Sequence, residues 1–325
     1  MIIHFHFHFK TTGVTRSVES IVPCLNKQEE TKIFGYGISS HKISFAKVLR
    51  AVFSLDKTII HTHRNNEMLL ALMLRLFGGK FKLCSTRHAD SEPSSFTDYL
   101  MSMADSRISL SKQMDQKLKT ETTIIGHGVD TNYFIPKKAL ENSKDKIISV
   151  VGRIRKSKGQ RDVIEAAVPL LQKNPEWKIQ FIGTVDSEAY AQEIKTIAKK
   201  NSVENQLQFI SQTNEMNVYY QNSSGVIIAS YTEGFSLVCL EAMSCGCITI
   251  ATDQVGIHSE VIKHNKNGFL YPKGSISSLR EIIKKVFENP DLLEGKQIRQ
   301  TILKNWSNDV ASKKLFELYN KLRTA

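Results

Sequence analysis

Short apolar runs alternate with amphipathic stretches along this chain, and that rhythm restricts the fold more than any other feature. Runs at 2–9, 32–36, 57–62, 81–86, 106–110 and 122–126 have the length and composition of strands, with helical spacing at 14–25, 43–54, 65–77 and 112–119. After a polar stretch from Pro136 to Asp145 the rhythm restarts. Strands are expected at 147–152, 177–182, 207–210, 225–229 and 247–251, and helices at 159–172, 187–200, 236–244, 258–264 and 276–288. Such alternation builds a parallel, doubly wound sheet. Two series predict an α/β chain with two Rossmann-like domains, 1–142 and 143–306, facing each other across a cleft. A last helix within 307–325 is expected to pack back on the first domain. Ligands of such sheets sit at the carboxyl ends of the strands, so the cleft is the expected site.

Composition narrows the class. At 325 residues the chain is too long for one ordinary core, and 41% hydrophobic with 23% charged residues is globular rather than disordered. The longest mostly apolar run, Met68 to Phe77, contains Arg75 and is far short of the ~20 residues of a membrane span. The opening Met1-Ile2-Ile3-His4-Phe5-His6 lacks the basic and aliphatic regions of a signal peptide, so the chain is expected to stay in the cytoplasm. Five cysteines, Cys24, Cys84, Cys239, Cys245 and Cys247, have no C-x-x-C spacing and read as reduced thiols. P-loop and dinucleotide glycine fingerprints are absent, which argues against ATPases and dehydrogenases.

The net charge of +12 points to acidic partners. Part of the excess is local. Residues 42–87 hold Lys42, Lys47, Arg50, Lys57, Arg64, Arg75, Lys80, Lys82 and Arg87 against only Asp56 and Glu67. These cations bracket the apolar 68–77 helix. Two readings stand side by side: a surface that rests on an anionic bilayer, and a core helix with solvated lysines nearby.

The most informative segment runs from Ser230 to Ala242, Ser-Tyr-Thr-Glu-Gly-Phe-Ser-Leu-Val-Cys-Leu-Glu-Ala. It follows the strand at 225–229 and opens a helix. Gly234 permits a tight turn. The amides of Gly234, Phe235, Ser236 and Leu237 then point out of a helix start, where anions bind. Glu233 and Glu241 flank that start, and a carboxylate accepts hydrogen bonds from paired hydroxyls. Phosphate-gripping amides beside carboxylates describe a receptor for a nucleotide sugar. The plainer alternative is a helix with an acidic beginning.

Glu233-Gly234-Phe235 with Glu241 resembles the E-x7-E element of retaining glycosyltransferases of family four, which have the GT-B fold. Val151-Gly152-Arg153 with Lys158-Gly159 is similar to the family's "GR…KG" signature. Gly126-His127-Gly128-Val129-Asp130 is similar to its "NGVD" signature, with His127 where asparagine is usual. The likeness spans nearly the whole chain and is most specific over 126–270. It implies that Arg153 and Lys158 hold the donor diphosphate, that Glu233 meets the transferred sugar, and that Glu241 takes the ribose hydroxyls. Guanidinium and ammonium groups suit that task, since they neutralise the leaving group's charge.

In the first domain, Gly13 sits where the family has a glycine-rich loop near the donor phosphates, although this chain has one glycine there and not two. His88, in Ser85-Thr86-Arg87-His88, matches the position of the family's active-site histidine. His61 and His63 end another strand and are candidates for the acceptor side. His4, His6 and His8 alternate with phenylalanines, which puts them on one strand face. No carboxylate or cysteine completes a metal set nearby, and the resemblance implies transfer without a bound metal or cofactor.

The resemblance further implies a nucleotide-diphosphate sugar as donor, with GDP-mannose first. It implies a front-side transfer with retention, in which the leaving phosphate helps deprotonate the acceptor. The opening residues and the Ser85–His88 segment look like bacterial transferases of the lipopolysaccharide core, mannosyltransferases included. The expected acceptor is therefore a lipid-linked saccharide, met on the cytoplasmic face of the inner membrane through the 42–87 region. The competing classes are a soluble nucleotide-sugar enzyme of the same fold (an epimerase or a small-acceptor transferase) and a nucleic-acid binder. The second lacks any recognised binding motif, and no nucleic-acid partner is expected.

Overall fold

A computed structural model describes residues 1–38, 40–54, 57–137 and 145–324. The chain forms two compact units, Met1–Gly128 with Trp306–Ala325, and Val129–Asn305. The backbone therefore passes between them at Gly128/Val129 and at Asn305/Trp306. The boundary expected at 142–143 lies in 138–144, outside the described residues.

The first unit runs β1 (Ile2–Phe7), α1 (Gly13–Asn26), β2 (Thr31–Tyr36), α2 (Phe45–Phe53), β3 (Thr58–Thr62), α3 (Asn65–Leu76), β4 (Phe81–Thr86), α4 (Ser95–Ser102), β5 (Ser106–Ser109), α5 (Lys112–Asp115) and β6 (Thr123–Ile124). The second runs β7 (Asp145–Val151), α6 (Gln160–Leu171), β8 (Lys178–Ile182), α7 (Glu188–Lys200), β9 (Leu207–Ile210), α8 (Met216–Asn222), β10 (Ser223–Ile228), α9 (Leu237–Ser244), β11 (Ile248–Thr252), α10 (His258–Val261), β12 (Phe269–Tyr271), α11 (Ile276–Glu288) and α12 (Gly295–Asn305). The last helix, α13 (Asn308–Thr324), belongs to the first unit.

Each unit holds a six-stranded sheet, ordered β2-β1-β3-β4-β5-β6 in the first and β12-β11-β10-β7-β8-β9 in the second. All strand pairs are parallel. The strand order reverses between β1 and β3 in one sheet and between β7 and β10 in the other. Ligand crevices open at such reversal points, beyond the strands' carboxyl ends.

Period-2 alternation sorts the first sheet's side chains. Ile2, Ile33 and Ile59 face one layer with Val18, Val22 and Leu25 of α1 and Leu315 and Tyr319 of α13. Ile3, Phe5 and Ile60 face the other, with Val48 of α2, Met68 and Leu74 of α3 and Leu100 of α4. His4 and His6 share the parity of Ile2 and are fully buried, so this chain puts imidazoles where most sheets put aliphatic groups.

Candidate functional site

In the second unit, the loops after β7 and β10 come together at the reversal point. Gly159 adopts φ +65, and a Cβ there would lie 2.1 Å from the Ala229 carbonyl oxygen. Only glycine lets the loop press onto the end of β10. The Tyr231 amide donates to the Ser157 carbonyl at 2.9 Å and ties the two loops. Lys158 is thereby carried to Glu233: its Nζ lies 2.5 Å from Oε1, with side chains 17% and 15% exposed. Ser230 Oγ donates to the same oxygen at 2.7 Å.

The other expected residues fall around this pair. Arg153 stands on the same loop, but its half-exposed guanidinium faces Asp186 at 3.7 Å, and Arg155 faces the same carboxylate at 3.8 Å. Glu241 lies one helix turn and more into α9, where it is buried and accepts from the Tyr220 hydroxyl at 2.8 Å. Burial and this carboxylate push the Tyr220 hydroxyl's pKa well above its ordinary value, so it remains a donor. Gly234, Phe235 and Ser236 form the turn, with Phe235 and Ser236 buried, and Leu237 begins α9. Lys158 and Glu233 are thus joined directly; the carboxylates of Glu233 and Glu241 have separate partners, and Arg153 points elsewhere. Arg299 braces this region from below, donating to the Thr131, Phe134 and Ser244 carbonyls at 2.6–2.7 Å.

In the first unit the reversal point is filled by histidines. The parallel register sets His4 of β1 beside His61 of β3. His4 Nδ1 is 3.1 Å from His63 Nε2, His63 Nδ1 is 3.0 Å from His88 Nε2, and His88 Nδ1 is 3.3 Å from His127 Nε2. His127 Nδ1 then meets Ser17 Oγ at 2.6 Å. Each contact joins an Nδ1 to an Nε2, so neutral rings in this row must all carry their protons on the same kind of nitrogen. Burial pushes His4 and His127 down to about 3 and holds His61, His63 and His88 well below the usual range, with the neighbouring imidazoles adding to the effect on those three. The row is neutral.

Both ring nitrogens of His88 are therefore engaged within the unit. His61 and His63 also differ from the expectation that they line an acceptor surface. His61 is 2% exposed and bonded to the Tyr319 hydroxyl and Thr86 Oγ1, at 2.6 and 2.7 Å. Glu67, unmarked by any motif, is fully buried and accepts from the Phe7 and His63 amides at 2.9 and 2.6 Å. Burial raises it to about 7 in spite of these donors. Gly13 is the first residue of α1, and a Cβ there would meet nothing within 4 Å; no contact inside the unit demands a glycine. His8 is half-buried, and its Nδ1 is 2.7 Å from the Lys10 carbonyl.

One ring nitrogen each from His4, His61 and His63 lies within 4.8 Å of the others, the one such metal-type grouping among the described residues. His61 and His63 already use both nitrogens in hydrogen bonds and His4 uses Nδ1, which leaves His4 Nε2 as the one without a partner. A cavity of about 30 Å³ beside His4 and His61 has room for water rather than a larger ligand. The clearest sequence signal for the row was His127 standing in place of asparagine.

The model for glycosyl transferases group 1 matches residues 132–301, which is most of the second unit and more than half of the chain. The chain belongs to this family. Over 99% of its length and 96% of the relative's, this group 1 transferase is 25% identical to the lipopolysaccharide core biosynthesis mannosyltransferase LpcC of Rhizobium leguminosarum bv. viciae. It is 27% identical to the corresponding enzyme LpsB of Rhizobium meliloti, over 80% of this chain and 79% of that one. Among solved structures, Anabaena Alr3699/HepE in complex with UDP superposes with a TM-score of 0.82 at 17% identity, covering 98% and 99% of the two chains. That likeness establishes the shared GT-B architecture.

Proposed function

We propose that this transferase moves a sugar, with retention, from a nucleotide-diphosphate donor to a lipid-linked acceptor of the lipopolysaccharide core. GDP-mannose is the first candidate donor. The observation that carries the reading is the Lys158–Glu233 pair, set at the strand-order reversal beside the start of α9. Without a ligand each charge neutralises the other. A donor diphosphate takes Lys158, and Glu233 is released to accept from the sugar's hydroxyls. Arg153, half exposed and only loosely held by Asp186, adds a second cation to the leaving phosphates. Glu241, fixed by Tyr220, receives the ribose hydroxyls. The helix-start amides after Gly234 complete the anion site. The leaving phosphate takes the acceptor's proton on the same face, and the protein supplies orientation and charge stabilisation, with no metal in the step. The mannosyltransferase relatives in Rhizobium support the choice of sugar, and the UDP complex of the Anabaena protein supports a nucleotide diphosphate in this fold.

The acceptor side of the reading rests on the first unit's outer layer. Helices α2, α3 and α4 cover one sheet face and turn Phe45, Phe53, Met73, Leu76, Phe77 and Tyr99 outward, Leu76 and Phe77 at 82% and 72% exposure. Within 68–77, Met68, Ala71 and Leu74 are core, while Met73, Leu76 and Phe77 are exposed. Arg75 is held by Asp105 at 2.5 Å. Lys47 and Arg50 on α2 and Lys80, whose amide donates to the Val52 carbonyl at the end of α2, supply exposed cations on this layer, whereas Lys82 alternates with Phe81 and Leu83 and lies on the sheet's other face. Apolar side chains beside such cations fit an anionic bilayer, here the cytoplasmic face of the inner membrane. No helix among the described residues is long and apolar enough to cross a membrane.

A thermal-shift panel of UDP, GDP and ADP with their sugars, followed by transfer to lipid-linked core saccharide, tests the reading. Stabilisation by one nucleotide diphosphate and sugar transfer that depends on the lipid acceptor are expected. Failure of every nucleotide to bind would overturn it.

A further inference from the structure

The turn Glu233–Leu237 is held from beneath by a residue that no motif marks. Ser236 adopts φ 88 and ψ 72, a left-handed conformation that a non-glycine residue keeps only where its surroundings enforce it. Its Oγ lies 3.1 Å from Nε2 of His258, which is fully buried. His258 Nδ1 lies 2.9 Å from the Thr252 carbonyl oxygen. A carbonyl only accepts, so Nδ1 carries the proton, Nε2 keeps its lone pair, and the Ser236 hydroxyl is the donor. Burial lowers the basicity of His258 despite Glu233 and Asp253, and Lys158 lowers it further, so the ring stays a neutral acceptor.

The neighbouring contacts make this loop a template for the turn. The Ile257 amide donates to the Phe235 carbonyl at 3.2 Å. Gly256, at φ +56, passes so close that a Cβ would lie 2.9 Å from both Glu233 Cβ and Phe235 O. Thr252, which orients His258, donates through Oγ1 to the Ser230 carbonyl at 2.8 Å. The Gln254–His258 segment thus touches the turn at Glu233, Phe235 and Ser236.

We propose that His258 is a positioning residue for the donor site: by accepting the Ser236 hydroxyl it holds that serine in its left-handed conformation and so aims the amides at the start of α9 toward the donor diphosphate. This rests on the transferase reading above. His258 touches no substrate and acts only through Ser236.

The test is a double-mutant cycle on the full chain, read as calorimetric affinity for whichever of UDP and GDP the wild type binds. H258N keeps a donor for the Thr252 carbonyl but does not reach Ser236, and is expected to weaken binding by about tenfold, within the range of coupled neighbours. S236G removes the hydroxyl and adopts the same backbone without strain, and it sets the reference for the second arm. On that background H258N is expected to cost less than about threefold, because nothing remains for it to hold. H258Q, whose amide oxygen accepts the Ser236 proton, should recover most of the loss in the parent chain. Circular dichroism and gel filtration check folding, and if H258N fails them H258L, which fills the space without accepting the Ser236 proton, takes its place in both backgrounds with the same expectations. An equal loss from H258N in both backgrounds means that His258 acts through packing alone and overturns the proposal, as does wild-type affinity in H258N. A wild-type chain that binds neither nucleotide defeats the transferase reading itself, a different and distinguishable result.

Discussion

At the reversal point of the second unit a lysine is bound to a glutamate; at that of the first unit stand imidazoles that carry no charge. Both sets occupy the carboxyl ends of parallel strands in sheets of closely related topology. The backbone therefore decides where chemistry is placed, and the residues decide what kind. An ion pair that an incoming anion can split suits a charged ligand that comes and goes. A row of neutral rings, all but His4 spending both nitrogens on their neighbours, suits a fixed hydrogen-bonded wall.

The comparison breaks first at Lys158. If charge in the second unit drives transfer, Lys158→Ala raises the barrier by about 2–4 kcal/mol, the scale of losing one charge-stabilising donor. Turnover at saturating donor measures this, and near-wild-type turnover would sink the assignment. The first unit gives the next effect, in stability. Its buried His4 and His127 have folded-state values of about 3, below the unfolded value near 6.5, so the unfolded chain binds more protons as pH falls. Stability should drop between about pH 6.5 and 3, by roughly 1.4 kcal/mol per pH unit for each of these two rings. Glu67, raised to about 7, works in the other direction between about 4.5 and 7. Urea midpoints against pH for His4→Phe should have a slope shallower by about one proton; an unchanged slope would mean that His4 is not the neutral ring described.

Glu233→Gln sharpens the contrast further. It frees Lys158 and should leave binding of the bare nucleotide diphosphate unchanged or tighter. Affinity for the sugar-bearing donor should fall by about 1.5–3 kcal/mol, the value of hydrogen bonds to a charged group. Calorimetry with both ligands decides, and parallel changes in the two would remove the sugar-sensing role. The smallest effect belongs to the outer layer. Leu76→Glu with Phe77→Glu should alter stability by no more than about 0.5 kcal/mol while abolishing co-sedimentation with anionic liposomes. Equal binding to neutral and anionic vesicles by the parent chain would end the membrane proposal.

The second unit's site was legible in the sequence because its parts lie in short motifs whose spacing survives folding: a glycine beside a lysine, a glutamate before a helix start. That Lys158 and Glu233 would meet was implied by the resemblance and not by the spacing, since 75 residues separate them. The histidine row was half legible. Alternation gave His4 and His6 a common face, but only the parallel register reveals that the ring beside His4 comes from β3. Ser17, Glu67, Tyr220 and His258 were invisible, because a lone serine or histidine inside an apolar pattern has no signature until its partner is known. Short elements were missed for a simpler reason. Three residues in β12 and seven in α8 are too few to establish a period.

The placement of α13 has a consequence for how the protein is made. Leu315 and Tyr319 fill the core beside α1 and β1, and Tyr319 also caps the His61 ring. Residues of the first unit up to Gly128 are translated before the second unit, yet α13, which completes their core, follows it. The apolar face of α1 that α13 covers therefore waits for its partner while the whole contiguous second unit is made.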